Sequence, residues 1–234
     1  MPVTMDLKEE LLDQLEIQSV FTIPGTNISV DETTVVSWII MAALTILAII
    51  LTRNLKVNGE LSKRQQLLEV CMDKMMTFFR SILGEKGEKY MPWLMSTAIF
   101  IGACNMIGIL GFKPPTKSMQ DTAAMALTSI LVVEIAGIRE KGLGRHLKSF
   151  AKPVAIVTPI NVLEIVIKPL SLCMRLFGNV IGAFIIMELL KSIIFFKIGV
   201  SLAFSLYFDL FDGFLQAYIF VFLTAMYINE AVED

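Results

Sequence analysis

The stretch KPLSLCMRLFGNVIGAFIIMELL, residues 168–190, reads as membrane apart from the guanidinium of Arg175 within it. Burying that group at membrane depth costs at least ~2.5–3.5 kcal/mol, and it stays charged at any accessible pH. A chain that keeps such a residue in lipid needs it for a purpose. What that charge is for largely decides what the protein does.

Composition supports a membrane setting. Of 234 residues, 55% are hydrophobic and 18% charged, with a mean hydropathy of +0.69. That balance is too apolar for an ordinary soluble domain and fits a polytopic membrane protein. The net charge of −2 provides no basic field for nucleic acid. Cys71, Cys104 and Cys173 lie far apart in apolar or amphipathic stretches, and the one histidine is His146. Without paired cysteines or a histidine cluster, zinc binding and Cys–His catalysis are unsupported, and the cysteines read as small packed hydrophobes. No cofactor is expected.

Residues 1–34 are acidic and mixed, without a basic segment leading into an apolar core, so they read as an external amino-terminal segment rather than a signal peptide. Residues 35–51, VVSWIIMAALTILAIIL, form the first uncharged run, just long enough to cross. Arg53, Lys56, Lys63 and Arg64 follow it, which places that end in the cytoplasm by the positive-inside bias. Residues 65–83, QQLLEVCMDKMMTFFRSIL, space their apolar positions as one helical stripe with charges on the remaining arc. They read as an amphipathic helix at the cytoplasmic interface, or one packed against a partner. Residues 93–111 should cross outward, the FKPPTKSMQD turn stops the helix, and residues 122–138 return. The loop that follows holds Arg139, Lys141, Arg145, Lys148 and Lys152, again cytoplasmic.

The remainder differs in kind. Residues 154–196 and 198–229 are each longer than one crossing requires and carry charges inside the apolar pattern. These are Glu164, Lys168, Arg175 and Glu188 in the first, and Asp209 and Asp212 in the second. Such helices must tilt or bend, with Pro159 and Pro169 as places to bend. The fold class expected is therefore all-α. It is a polytopic membrane protein of five membrane-crossing helices, the last two long and tilted, plus one interfacial amphipathic helix. Residues 35–234 form a single integral membrane domain within which 154–229 make a helical hairpin.

At 100° per residue, Asn179 lies about 40° from Arg175, Glu164 about 20° on a straight helix, and Glu188 about 140°. Gly178 and Gly182 fall near the Arg175 side, so one face is both polar and thin and would admit a close neighbour. Asp209, Asp212 and Gln216 follow i, i+3, i+7 and form one stripe. They are candidates to line an aqueous path, with an inter-helix salt bridge to Arg175 or Lys197 as the structural alternative. An enzyme would need a nucleophile–base pair or a metal set, and neither is visible. A secondary transporter would usually show repeated halves, whereas here only the second half bears charges in its spans. A component of an ion-translocating complex fits better, with an unrelated channel or transporter subunit as the alternative.

KPLSLCMRLFGN at 168–179 followed by LQAYIFVFLTAMYI at 215–228 resembles subunit a of the F-type ATP synthase membrane sector. The order of elements agrees along most of the chain, from the QQLLE segment through the PPT turn to the carboxy terminus. The resemblance implies the ion-translocating stator of a rotary motor, non-catalytic itself. Its partners would be the rotor c-ring, peripheral-stalk b subunits, the remainder of the synthase and the lipid bilayer. It implies that Arg175 faces the carboxylate of a passing rotor helix, with Asn179 and Gln216 as polar neighbours. Glu164 and the carboxylates of the last helix lie where family members place half-channel groups. Two departures stand out. Many members have a carboxylate nine residues after the arginine, where this chain has Phe184. Some have histidine or glutamate seven before the glutamine, where this chain has Asp209, with Asp212 added. Asp209, Asp212 or Glu188 is expected to supply the missing group. The PPT turn also differs, with Ser118 and Gln120 where Asp and Asn are frequent. The setting expected is a bacterial inner membrane, amino terminus outside and carboxy terminus cytoplasmic.

Overall fold

A computed structural model describes residues 19–22, 29–53, 55, 62–110, 112–145, 158–192 and 206–233. Its first feature is one the sequence reading missed. Strands β1 (Ser19–Thr22) and β2 (Ser29–Asp31) pair antiparallel, a small ribbon at the head of an otherwise helical chain. Asp31 ends the ribbon in extended geometry and begins α1, Glu32–Thr52. Only one stripe of α1 is buried, Thr33, Val36 and Ile40. Trp38, Ile39, Ile46 and Ile49 point away from the protein. In water that surface would be untenable; in a bilayer it faces acyl chains.

Helix α2, Lys63–Gly87, is amphipathic as its spacing predicts. Phe79 and Leu83 are buried, while Glu69, Asp73, Lys74 and Arg80 stay exposed. Gly84 has φ 63°, a left-handed value that breaks the helical path before the crossing that follows. A side chain there would also meet the Glu233 carboxylate, whose Oε1 lies 3.3 Å from an added Cβ. That crossing is α3, Met91–Met106, extended by a tighter turn at Ile107–Leu110. A one-turn segment at Pro115–Lys117 leads into α4, Met119–Lys141, capped by the Ser118 side chain, which accepts from the Asp121 N–H. Gly142 with φ 77° ends α4.

The last two helices are long. Helix α5 runs Thr158–Ser192, 35 residues with Pro169 inside it. At 1.5 Å per residue that is about 50 Å, against a hydrocarbon core of ~30 Å, so it must tilt to stay within a membrane. A wide-wound π segment, Leu206–Asp212, then leads into α6, Gly213–Glu233. Five helical stretches are long and apolar enough to cross a membrane among the described residues, α2 and α3 counting together. The expected spans at 35–51, 93–111 and 122–138 each sit within or across one of these helices. The connection at 193–205 and the positions His146, Lys148 and Lys152 lie outside the described residues.

Helix α6 is the hub, packed on α2, α3, α4 and α5. Phe220, Val221 and Ile228 are buried in its centre. Close approach is set by small side chains, with Ala217 and Ala225 of α6 and Ala126 and Ala136 of α4 all at most 4% exposed. Lipid is as apolar as the interior, so tight packing of small residues rather than hydrophobic transfer holds such helices together.

The bundle has two chemically distinct ends. At one, Lys113 pairs with Glu32 at 3.1 Å beside the ribbon. At the other, Lys89 pairs with Glu140 and Arg80 with Glu88.

Candidate functional site

Arg175 is the central residue of Thr158–Ser192 and therefore lies at mid-membrane depth when α5 spans. It is half-buried, and no carboxylate among the described residues lies within ion-pair distance of it. The adjoining flank of the same helix turn is packed, with Leu172 and Leu176 at 1% and 0% exposure against the bundle. One turn beyond Arg175, Gly178 and Asn179 are exposed. A Cβ added at Gly178 or at Gly182 would meet nothing within 4 Å. The fold thus leaves the arginine on a thin face of α5 that the described residues do not cover.

Asn179 ties this face to the last helix. Its Nδ2 donates to Gln216 Oε1 at 2.7 Å. Gln216 is 1% exposed and its Nε2 has no acceptor among the described residues. A buried amide donor left open is costly unless a water or a transient partner reaches it. The Asn179–Gln216 pairing joins two residues that the sequence reading placed on separate helices near Arg175.

The carboxylates distribute differently from the straight-helix arithmetic. Glu164 agrees in angle with Arg175, but eleven residues separate them, about 16 Å along the axis. Glu164 lies instead 3.6 Å from Lys168 Nζ, which also donates to Glu230 at 3.0 Å and sits 5.0 Å over the Tyr227 ring. This cluster fastens the first half of α5 to the end of α6. Asp212 is half-buried and closes the π segment. Because winding changes at Gly213, the i, i+3, i+7 stripe assumed for Asp209, Asp212 and Gln216 does not carry through as one straight-helix face. Glu188 and Asp209 fall in described helical backbone, and their side chains lie outside the described residues.

Two further residues went unnoticed in the sequence. Asn105 is 6% exposed in α3, and its Nδ2 donates to the Gly213 carbonyl at 3.0 Å, just where the winding changes. A Cβ at Gly213 would lie 3.1 Å from Asn105 Cβ, a tight contact that glycine avoids at this approach. A lone amide inside the run IGACNMIGIL was the available signal. The second is Lys117, 5% exposed, whose ammonium stands 3.5 Å above the centroid of the Phe184 ring. The position that resemblance would fill with a carboxylate holds an aromatic ring beneath a buried cation.

The described residues contain no cluster of three or more His, Cys, Asp or Glu able to hold a metal ion. What the arrangement offers instead is a fixed charge and a polar amide pair presented sideways in the membrane. The family profile described as ATP synthase A chain matches residues 34–229. The chain is 34% identical to ATP synthase subunit a 1 of Prosthecochloris aestuarii, over 88% of this chain and 92% of that one. It is likewise 34% identical to ATP synthase subunit a of Moorella thermoacetica, over 88% and 92%. Against ATP synthase subunit a of Nitrosospira multiformis it is 31% identical, over 88% and 82%. By these matches along nearly its whole length, the chain belongs to the ATP synthase A chain family, as a non-catalytic, multi-pass subunit of the synthase's membrane sector.

Proposed function

We propose that this subunit carries ions past a rotor ring through two offset half-channels, with Arg175 as the electrostatic gate between them. The observation that carries the proposal is Arg175 at the centre of α5, unpaired among the described residues, on a face thinned by Gly178 and Gly182. A rotor helix seated on that face would bring its carboxylate beside the guanidinium. Burial penalises the ionised carboxylate, and the guanidinium offsets the penalty only while the two are adjacent. The carboxylate therefore crosses the gap ionised and takes up or releases its ion on either side. A permanent charge suits this role better than lysine, which can lose its proton when buried. The membrane potential supplies ~2.3 kcal/mol per ion per 100 mV.

Asn179 and Gln216 bridge the gate-bearing helix and the last helix, where their amides hold water or the passing carboxylate. Asp209 and Asp212 are assigned to one half-channel, and Glu188 lies further along α5 from the gate. Glu164 belongs at the other end with Lys168 and Glu230, where it serves the mouth of the second path. The partners are the c-ring on the open face of α5 and peripheral-stalk b subunits elsewhere on the bundle. The amino-terminal ribbon faces outside and the carboxy terminus faces the cytoplasm of a bacterium, in keeping with the basic residues at Arg139, Lys141 and Arg145.

The direct test is isolation of the complex in mild detergent: a ring of small hairpin subunits should accompany this chain. Recovery with an unrelated channel and no ring would end the proposal. For the path, Asp209→Asn and Asp212→Asn should each slow ion pumping in reconstituted vesicles by about threefold to tenfold, and the double variant more, since each removes one acidic relay. Normal rates in all three variants would make these residues structural.

A further inference from the structure

A second polar cluster lies at the ribbon end of the bundle, apart from the Arg175 face. Asp121 occupies the first turn of α4 three residues after the capping Ser118, a spacing that usually turns an acid back on the cap. Here the carboxylate turns to α1 instead. Its Oδ1 accepts from Thr34 Oγ1 at 3.2 Å, and its Oδ2 is buried with no hydrogen-bond partner among the described residues. The Thr33 hydroxyl also lies within interaction reach of the same carboxyl, and that residue is 1% exposed. Thr116, in the turn packed against α1 and α4, is 0% exposed and its hydroxyl too has no partner.

Among the described residues this junction holds buried oxygens short of donors, which a dry interior tolerates poorly, since each orphan costs about 1–3 kcal/mol. Water is the donor that reaches such sites, and an acid with two hydroxyls offers it the several partners it needs. The rim is suitably wet, for Lys113 and Glu32, both partly exposed, pair just beside it. The inner side abuts α5: Thr122 Oγ1 lies 3.6 Å from Cys173 Sγ, two residues before Arg175, and Lys117 covers Phe184.

We propose that Asp121, hydrated between α1, the 115–117 turn and α4, is a proton-binding group on the ribbon side of the membrane. It accepts a proton on Oδ2 from a hydronium ion, leaving water behind. It then releases that proton through the same water toward the α5–α6 seam. Its carboxylate stands in for the acid that position 184 lacks. The proposal rests on the ion-translocating function above and gives that function its uptake site on one side.

The experiment uses the whole complex in sealed vesicles, with ATP-driven acidification followed by a pH-sensitive dye. Asp121→Asn keeps the Thr34 contact and the volume but cannot carry a proton, so pumping should fall about tenfold while subunit composition is unchanged. Asp121→Glu should recover at least half the rate. In a background with Cys71, Cys104 and Cys173 replaced by alanine, Thr34→Cys should react with a small charged thiol reagent added on the ribbon side and not from the other side. Full pumping by Asp121→Asn, or a Thr34→Cys that no reagent reaches from the ribbon side, overturns the proposal. Should Asp121→Asn fail to assemble, the labelling result alone decides. Arg175→Ala serves as the control that separates the two ideas. If it is inactive while Asp121→Asn pumps normally, only the Asp121 site falls; if it also pumps normally, the gate itself is wrong.

Discussion

Arg175→Ala is expected to abolish ion-coupled ATP synthesis while leaving the complex assembled. The side chain makes no ion pair among the described residues, so its loss breaks none of the ion pairs that fasten them. Leu172 and Leu176, which do pack, are untouched. The cost falls on the rotor. A carboxylate brought into the membrane without its counter-charge loses about 3–5 kcal/mol, or roughly two to three and a half orders of magnitude in rate. Two measurements check this: ATP synthesis driven by an imposed ion gradient, and passive ion leak through the membrane sector once the soluble head is removed. Synthesis should fall to background and the leak should rise, because nothing then keeps one half-channel from the other. Coupled synthesis at even a tenth of the normal rate would refute the gate. Arg175→Lys is the finer probe. It preserves a charge that burial can discharge, and should be impaired most at alkaline pH.

Gly178→Phe and Gly182→Phe should be nearly as damaging, for a reason that lies outside the chain. Among the described residues neither glycine has a neighbour beyond its own helix turn within 4 Å of an added Cβ, and neither has a left-handed backbone that would forbid a side chain. In a helix interior, replacing glycine even removes a penalty of about 0.5–1 kcal/mol. The subunit alone should therefore fold at least as well as before. If a rotor helix must slide across this face, however, a phenyl ring fills the space through which it passes. Pumping should fall by one hundredfold or more, as for other overpacked interfaces costing ~3 kcal/mol, while Gly178→Ala should be mild. Thermal unfolding of the complex and vesicle acidification, measured on the same preparations, separate the two effects. Normal pumping by both phenylalanine variants would show that this face is not where the ring runs.

Much of this was legible in residue order because lipid simplifies the code. Long uncharged runs must be helices, and a charge within such a run must have a purpose, so Arg175 and the helical framework could be read directly. What failed to show was whatever depends on changes in winding or on partners distant in sequence. Asp209, Asp212 and Gln216 align only on a uniform helix, and the π segment ending at Asp212 removes that premise. Glu164 shared an angle with Arg175 but not a depth, and Lys168 claimed it. Asn105 and Asp121 act through contacts to Gly213 and Thr34, 108 and 87 residues away in sequence, which no local pattern announces. The β1–β2 ribbon went unseen because it ends an acidic, mixed segment that was read only as external to the membrane.

The two polar ties between α5 and α6 carry a mechanical consequence. Lys168 holds Glu230 at 3.0 Å and Asn179 holds Gln216 at 2.7 Å. The two anchor points on α5 are eleven residues apart, a lever arm of about 16 Å. A beam pinned once can swivel about its pin; pinned twice, it can neither roll nor slide without breaking both attachments together. Sideways force on the arginine-bearing face is thereby passed into α6, which α2, α3 and α4 brace from its other sides. A stationary element that must not turn with what turns against it requires that stiffness, and here two side-chain contacts provide it.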